Sequence, residues 1–285
     1  MKAQSSSLLF LLLILCECSS EIAEEADKIL EKPVPILISS PRQIDIETKT
    51  VVNAFTTNDI SNITIYGMNK TDGLYLEALS PVASNWNSLE FDTPITYPIN
   101  GSDVTLYSFY PSTVQDRALS RGSMQIGVSI SGDDDLMYTS VEAGNKRNPL
   151  PATLTFNHKL AQIKFKLKNL VTDSSETGPV TIIATGPSSA IMDLTDGSLN
   201  ELSATKSFEL PTNMTFDQLL ADTETEIAGE LLLFPQSEYS FSLKVGDKCY
   251  AITFDQQTTT SWQESSVYTL TISINSLNNP VTNPI

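Results

Sequence analysis

The sequence predicts an all-β protein. Short segments in which apolar and polar residues alternate recur along the chain, at spacings of about 8–12 residues that are typical of β-sandwiches. Segments with helical periodicity are scarce, and Thr, Ser and Asn are abundant between the apolar positions. With 285 residues, of which 40% are hydrophobic, the chain can build the core of one large domain or of two ordinary ones.

The clearest alternating segment lies near the centre of the chain. Residues 163–168 alternate strictly between an apolar side chain and a lysine, which is the period of a half-buried strand. Leu154, Phe156 and His158 alternate as well, but with the opposite parity. A one-residue change of parity turns every following side chain to the other face of a strand. The sequence therefore predicts a bulge, a bend or a short turn at residues 159–161.

The start of the chain has the features of an export signal. Residues 1–20 carry Lys2 ahead of an apolar run at residues 8–15, which is too short to span a bilayer. Cys16 and Cys18 follow directly, and an apolar run that ends at a cysteine resembles a bacterial lipoprotein signal. We therefore expect one of the two cysteines to carry the lipid, because acyl chains on one residue hold a protein stably at a membrane. An ordinary cleaved signal is the alternative.

The domain organisation follows from composition. Residues 21–33 are rich in Glu and Ala, and we expect a solvated tether there. The polar, turn-forming segment at residues 143–149 is the best predicted domain boundary. The prediction is thus an N-terminal β-sandwich at residues 34–148 and a C-terminal β-sandwich at residues 149–285.

The first predicted strand spans residues 34–46, in which five apolar residues share one parity. Pro35 and Pro41 interrupt it, and proline confines a strand to a sheet edge or marks a bulge. The sequence therefore predicts an edge strand. Arg42 and Lys49 flank its end and are candidate sites for a trypsin-like processing protease.

Further strands are predicted on both sides of the central segment. In the first half they lie at residues 51–55, 63–68, 74–76, 86–91, 95–98 and 104–111. In the second half they lie at residues 180–184, 190–194, 231–235, 239–245, 250–254 and 268–275. The run at residues 231–235 is continuously apolar, which favours a strand covered on both faces. A turn at Gly246 joins the segments at residues 239–245 and 250–254 into a hairpin.

The sequence offers little for catalysis. His158 is the single histidine, so a serine or cysteine triad would have to use it, and its place in a strand favours a structural role. Phosphate-binding loops and zinc-protease motifs are missing, and we predict no enzyme, no metal site and no cofactor. A hydrolase with a carboxylate pair stays open, since 34 acidic residues guarantee chance pairs.

Two other features carry binding chemistry in some proteins. Residues 133–135 are three adjacent aspartates, but neighbours in a strand point to opposite faces, so we predict a solvated turn rather than a calcium site. Cys249 is predicted to be a packed thiol. The net charge of −17 disfavours nucleic acid and anionic lipid as partners of a basic surface. Membrane contact is therefore expected through the lipid anchor only.

Four segments resemble blocks of the fimbrillin family of Bacteroides-type bacteria. Residues 154–165 resemble its F-x-H-x-L-A-x-[ILV]-x-[FV] block, and residues 97–111 resemble its W/Y-P … F-x-A-Y-x-P block. Residues 134–138 are similar to its x-D-L-[LM]-Y-A block. Trp262 with residues 268–272 resembles its C-terminal W-x-x-G-x-x-Y-x-x-x-I block. The four blocks stand in the family's order and cover almost the whole chain.

The resemblance implies two transthyretin-like β-sandwich domains in tandem, display on the cell surface, and assembly into fimbriae by strand exchange. In the family, removal of an N-terminal strand exposes a groove that a partner's strand then fills. This chain departs from the family in two places. Residues 264–266 lack the expected glycine, and only residues 276–285 follow the last clear strand. The short tail favours a tip, accessory or non-polymerising subunit over a stalk subunit.

Together, the residues and the resemblance predict a lipid-anchored protein of the bacterial outer membrane, exposed at the cell surface. We expect it to act as a structural, tip or accessory subunit of a fimbrium in cell adhesion. Its expected partners are other fimbrial subunits, bound by β-strand addition, and a host or glycan ligand. The alternative is a surface lipoprotein that binds a glycan or a host ligand and never polymerises.

Overall fold

The fold is described from a computed structural model of the chain. The described residues are 32–43, 62–69, 73–85, 88–111, 124–171, 176–235, 238–252, 262–274 and 280–281. Within these ranges the chain forms β-strands and one 3₁₀ turn at Phe216–Gln218, with no α-helix. The predicted all-β class is therefore confirmed.

The strands are numbered in chain order. The first ten are β1 (Ile38–Gln43), β2 (Thr64–Asn69), β3 (Gly73–Leu79), β4 (Ala83–Asn85), β5 (Ser88–Glu90), β6 (Val104–Tyr110), β7 (Gln125–Ser129), β8 (Met137–Asn145), β9 (Asn148–Pro149) and β10 (Ala152–His158). The others are β11 (Ala161–Asn169), β12 (Pro179–Asp193), β13 (Leu199–Thr215), β14 (Glu224–Glu226), β15 (Leu231–Leu233), β16 (Ser240–Val245), β17 (Lys248–Ala251), β18 (Val267–Ile274) and β19 (Pro280–Val281).

The N-terminal sheet has the strand order β1-β10-β8-β6-β2-β3, with β9 beside β8. β1 lies at one edge and runs parallel to β10, whereas the other pairs are antiparallel. One face of this sheet buries a hydrophobic cluster that we call the N-terminal core, which also takes in side chains of residues 89–97. On the opposite face, Tyr66, Phe109 and Tyr138 join a larger cluster formed with the rest of the chain. Because strands alternate their side chains, one sheet serves both clusters.

Two sheets enclose the larger cluster. The β11 sheet has the order β14-β11-β15, with β18 also paired to β11. The β12 sheet has the order β13-β12-β16-β17-β19, with β7 also paired to β12. Phe165 of β11 and Phe241 of β16 meet edge to face with ring centroids 6.0 Å apart, so the two sheets pack against each other. The hairpin predicted around Gly246 is confirmed as β16–β17.

The alternation predicted for β11 is confirmed. Its apolar residues at positions 163, 165 and 167 are fully buried. Its lysines lie on the outer face, where each pairs with a carboxylate of a neighbouring segment. The strand predicted at residues 231–235 is confirmed over Leu231–Leu233, which is β15, and all three of its residues are buried.

β12 is one continuous strand over the region where the sequence predicted two short strands, at residues 180–184 and 190–194. It forms a long antiparallel hairpin with β13, for which the sequence predicted no strand. β12 continues past Gly186 and Pro187 because its second neighbour changes at that point. β16 pairs with residues 180–185 of β12, and β7 pairs with residues 189–193. Pro187 lies in the gap between them, where no strand needs its missing N–H. Its carbonyl accepts a hydrogen bond from the Tyr239 hydroxyl at 2.9 Å.

The chain crosses from the N-terminal sheet to the β11 sheet between His158 and Ala161, which confirms the turn predicted from the change of parity. Because β10 pairs with β8, the crossing falls later than the boundary predicted at residues 148–149. Residues 145–148 instead form the tight turn between β8 and β9. The division into two domains remains a prediction.

Candidate functional site

The N-terminal segment, residues 34–43, is tied into the N-terminal sheet and its core by main-chain hydrogen bonds. The Ile36 N–H donates to the Ile95 carbonyl at 2.8 Å, and the Tyr97 N–H donates to the Val34 carbonyl at 2.9 Å. The segment then continues as β1 and pairs in parallel with β10. It therefore closes one edge of the N-terminal sheet.

Alternate side chains of the N-terminal segment fill the core. Ile36 is 6% exposed and Ile38 is 2% exposed, whereas Leu37 between them is 72% exposed. The two buried isoleucines join a cluster that includes Leu89, Ile95, Tyr97, Leu154 and Phe156. Loss of the segment would leave both an unpaired β10 edge and an apolar groove.

The structure confirms the predicted effect of the two prolines. β1 is an edge strand, and its register against β10 shifts between Ser39 and Arg42, around Pro41. Pro35 forms an isolated bridge with Thr96 outside the regular sheet. Proline is tolerated at both places because neither lies inside a central strand.

The other predicted site residues are placed only in part. The backbone of Arg42 lies in β1 opposite Thr155. Lys49, Cys16 and Cys18 lie outside the described residues, so processing and lipidation stay predictions.

His158 is a buried structural residue, as predicted. Its Nδ1 lies 2.5 Å from Oδ2 of Asp135, and both side chains are 3% exposed. Its Nε2 has no hydrogen-bond partner among the described residues. Asp133 and Asp134 are exposed, in agreement with the predicted solvated turn. Asp135 was predicted to belong to the same turn, but it is buried. No local motif in the sequence marks this pair, because its two residues lie 23 positions apart.

Ser265 holds the crossing between β10 and β11. Its N–H donates to the Leu160 carbonyl at 3.1 Å, and its hydroxyl donates to the His158 carbonyl at 2.6 Å. Ser265 has a φ of 56°, in the left-handed region that favours glycine. It is the residue that stands at the glycine position of the W-x-x-G block, so the turn persists without the glycine.

A second candidate site is a polar hollow that we call the junction cleft. It lies between turns of the C-terminal half and the face of the N-terminal sheet that points away from the N-terminal core. Its volume is about 520 Å³. Its lining includes Ser140, Thr153, Thr155, Asn157, Lys159 and Glu264. The cleft exists because the odd-numbered residues of β10 point away from the N-terminal core.

Charged groups line one side of the junction cleft. The Lys159 ammonium lies 2.5 Å from the Glu264 carboxylate, with exposures of 7% and 53%. The pKa of Asp196, which also lines the cleft, is lowered by hydrogen bonds from Ser198 and by nearby Lys159. The cleft thus presents charged and neutral hydrogen-bonding groups.

The Tyr138 side chain, which lines the cleft, is buried. Desolvation raises the pKa of Tyr138 to about 12, and its hydroxyl donates to the Leu194 carbonyl at 2.6 Å. A Cβ on Gly197 would lie 2.3 Å from the Tyr138 ring, so the ring is covered. Tyr138 therefore packs the two halves together rather than offering an open aromatic face.

The described residues contain neither a metal-binding cluster nor a membrane-spanning helix. No group of three or more His, Cys, Asp or Glu side chains in these ranges is arranged to hold a metal ion. None of the helical segments in the same ranges has the length and hydrophobicity of a membrane span.

Solved structures share this fold. A proposed cell adhesion protein from Bacteroides uniformis ATCC 8492 superposes with a TM-score of 0.54 at 19% identity, over 85% of this chain and 93% of that chain. A second proposed cell adhesion protein, from Bacteroides ovatus ATCC 8483, gives a TM-score of 0.51 at 17% identity, over 85% and 93% of the two chains. At these identities the likeness concerns the fold alone.

Sequence comparison identifies the family. No match was found among curated protein sequences. A profile of the family described as fimbrillin-like matches residues 48–284, which is most of the chain. This match includes the strands of the N-terminal sheet from β2 onward and both C-terminal sheets, and the chain therefore belongs to the fimbrillin-like family.

Proposed function

We propose that this protein is a lipid-anchored subunit of a surface fimbrium, which acts in cell adhesion and assembles by exchange of its N-terminal strand. Family membership supports a fimbrial-type role in adhesion at the cell surface. The names of the two similar structures agree with that role. Cys16 and Cys18 are the proposed anchor residues, and the bacterial outer membrane is the proposed location.

The geometry of the N-terminal segment is the observation that carries the proposal. A strand that is to be exchanged must lie at an edge, so that its removal leaves the remaining ladder intact. β1 meets this condition, because β10 would keep its pairing with β8. Parallel pairs are slightly less stable per residue than antiparallel pairs, which favours release of β1.

An incoming strand would find both kinds of contact that strand addition needs. The β10 edge offers main-chain hydrogen bonds, which give affinity. The sites vacated by Ile36 and Ile38 offer apolar pockets for alternate side chains of the donor, which give specificity. Other fimbrial subunits are therefore the proposed partners.

Limited proteolysis tests this proposal. Purified mature protein is treated with trypsin and then analysed by size-exclusion chromatography and mass spectrometry. We expect cleavage at Arg42 or Lys49 followed by growth of oligomers. An Arg42→Ala/Lys49→Ala variant is the matched control and should remain monomeric. Clean cleavage at either residue that leaves a stable monomer, even with added partner subunits, would exclude strand exchange for this protein.

The second candidate function is a surface lipoprotein that binds a glycan or a host ligand without polymerising. Two observations favour it. The junction cleft offers a polar binding surface that strand exchange does not use. In addition, β19 already pairs with β17 of the same chain, with Val281 opposite Cys249. A protein that stays monomeric after cleavage and binds a glycan would favour this function over the first.

A further inference from the structure

We infer that the junction cleft binds a neutral oligosaccharide. The inference rests on the adhesion function proposed above and names the class of ligand that would serve it. At about 520 Å³, the cleft falls within the range of about 300–1,000 Å³ that is usual for ligand sites. It is also the place where side chains of the N-terminal sheet face turns of the C-terminal half, so one ligand would contact both.

The floor of the cleft is a row of polar side chains with unused hydrogen-bonding capacity. Thr153, Thr155 and Asn157 are alternate residues of β10, so their side chains leave the same face at intervals of about 7 Å. None of the three side chains forms a hydrogen bond with another residue in the described part of the chain. Each can both donate and accept, as hydroxyl and amide groups do. A ligand with donor–acceptor groups at similar intervals would satisfy them, and sugar hydroxyls are such groups.

The wall of the cleft selects the charge of the ligand. Two carboxylates, Asp196 and Glu264, face one ammonium group, Lys159. The ammonium is already paired with Glu264, so the described lining of the cleft carries a net negative charge at neutral pH. This charge opposes sialylated or sulfated sugars, whereas the carboxylates can accept hydrogen bonds from neutral sugar hydroxyls.

The lining also predicts weak binding. The one aromatic ring of the described lining belongs to Tyr138, which is 6% exposed and covered by Gly197, so no sugar can stack on it. Hydrogen bonds to a ligand replace hydrogen bonds to water, and the net gain of each is small. We therefore expect dissociation constants of about 1 mM for a single site, with adhesion depending on many copies.

Saturation-transfer NMR on the purified full-length mature chain tests the inference. The probes are neutral oligosaccharides at millimolar concentration (lactose, cellobiose, maltotetraose and chitobiose), each beside an anionic sugar such as sialyllactose. We expect saturation transfer to at least one neutral probe and none to the anionic sugars. Amide signals of residues 153–157 should shift on titration, and this measurement on the unaltered protein needs no variant.

A matched pair of variants completes the test. Thr153→Val/Thr155→Val removes two hydroxyls from half-buried strand positions, where valine is well tolerated, and it should weaken binding about tenfold. Thr269→Val makes the same change on the exposed side of β18, outside the cleft, and should leave binding unchanged. The inference is wrong if no neutral probe binds, if anionic probes bind better, or if both variants behave alike.

The outcome is separable from that of the proteolysis experiment. Oligomers after trypsin treatment without sugar binding would reject the cleft as a sugar site and leave the fimbrial function standing. Sugar binding by a chain that stays monomeric after trypsin treatment would support the cleft as a sugar site and reject the fimbrial function.

Discussion

Replacement of Ile38 by alanine tests whether the N-terminal segment is part of the core. Ile38 is 2% exposed and packs with Leu154 and Phe156, so Ile38→Ala removes buried methyl and methylene groups and leaves a cavity. Such changes cost about 2–5 kcal/mol. Because β1 lies at a sheet edge, where neighbours can relax, we expect a loss of about 3 kcal/mol from the free energy of unfolding.

The neighbouring residue is the control. Leu37 is 72% exposed, so Leu37→Ala should change stability by less than about 0.5 kcal/mol. The assay is urea unfolding followed by circular dichroism, with thermal unfolding as a second measurement. For a chain of this size, about 3 kcal/mol corresponds to a fall in Tm of about 6–12 °C. Equal effects of the two changes, or an effect of Ile38→Ala below about 0.5 kcal/mol, would show that the segment does not pack as described.

Three further predictions concern named residues. Tyr138→Phe should cost about 1 kcal/mol at pH 7, because it removes the buried hydrogen bond to the Leu194 carbonyl. Because the pKa of Tyr138 is raised in the folded protein, this side chain loses its proton at a lower pH in the unfolded chain. The free energy of unfolding should therefore fall as the pH rises from 10.0 to about 12. Urea unfolding over this pH range should show a smaller fall for Tyr138→Phe. His158→Ala should lower stability by about 1–3 kcal/mol, since it leaves Asp135 buried without its partner, and should leave ligand binding by folded protein intact; loss of binding at an unchanged Tm would reverse this assignment. Cys16→Ser/Cys18→Ser should release the protein from membranes, and a variant that still sediments with membranes after a high-salt wash would argue against lipidation.

Local alternation predicted the strands that have one buried face. The period of two in β11, β16 and β18 predicted the buried apolar side of each strand. Ser242 and Ser273, on the polar sides of β16 and β18, are buried as well. The change of parity at residues 159–161 predicted the crossing between sheets, because a strand cannot change its buried face without leaving its register. Pro35 and Pro41 predicted the edge position of β1 for a similarly local reason.

Features that depend on distant pairing could not be predicted. β13 has mostly exposed residues between positions 200 and 206, so its sequence there shows no alternation, and only its pairing with β12 makes it a strand. The parallel pairs β1–β10 and β11–β18 join segments far apart in the chain. The contact between Asp135 and His158 likewise depends on the β8–β10 register rather than on any local motif.

The junction cleft could not be predicted either. Its floor residues were predicted only as the polar side of a strand, and a polar side is normally solvated. The cleft arises because turns at Asp196 and Glu264 come to face that side. A cleft assembled from four separate parts of the chain has no signal in any one of them.

Hydrogen–deuterium exchange in β10 tests the central proposal, strand exchange, most directly. Backbone amides of residues 152–158 are compared in the intact protein, in the trypsin-cleaved monomer and in the assembled oligomer. We predict that amides facing β1 are protected in the intact protein, exchange faster once the N-terminal segment has dissociated, and regain protection in the oligomer. Protection that is unchanged after loss of the segment, or that does not return in oligomers, would contradict the proposal that a partner's strand takes the place of β1.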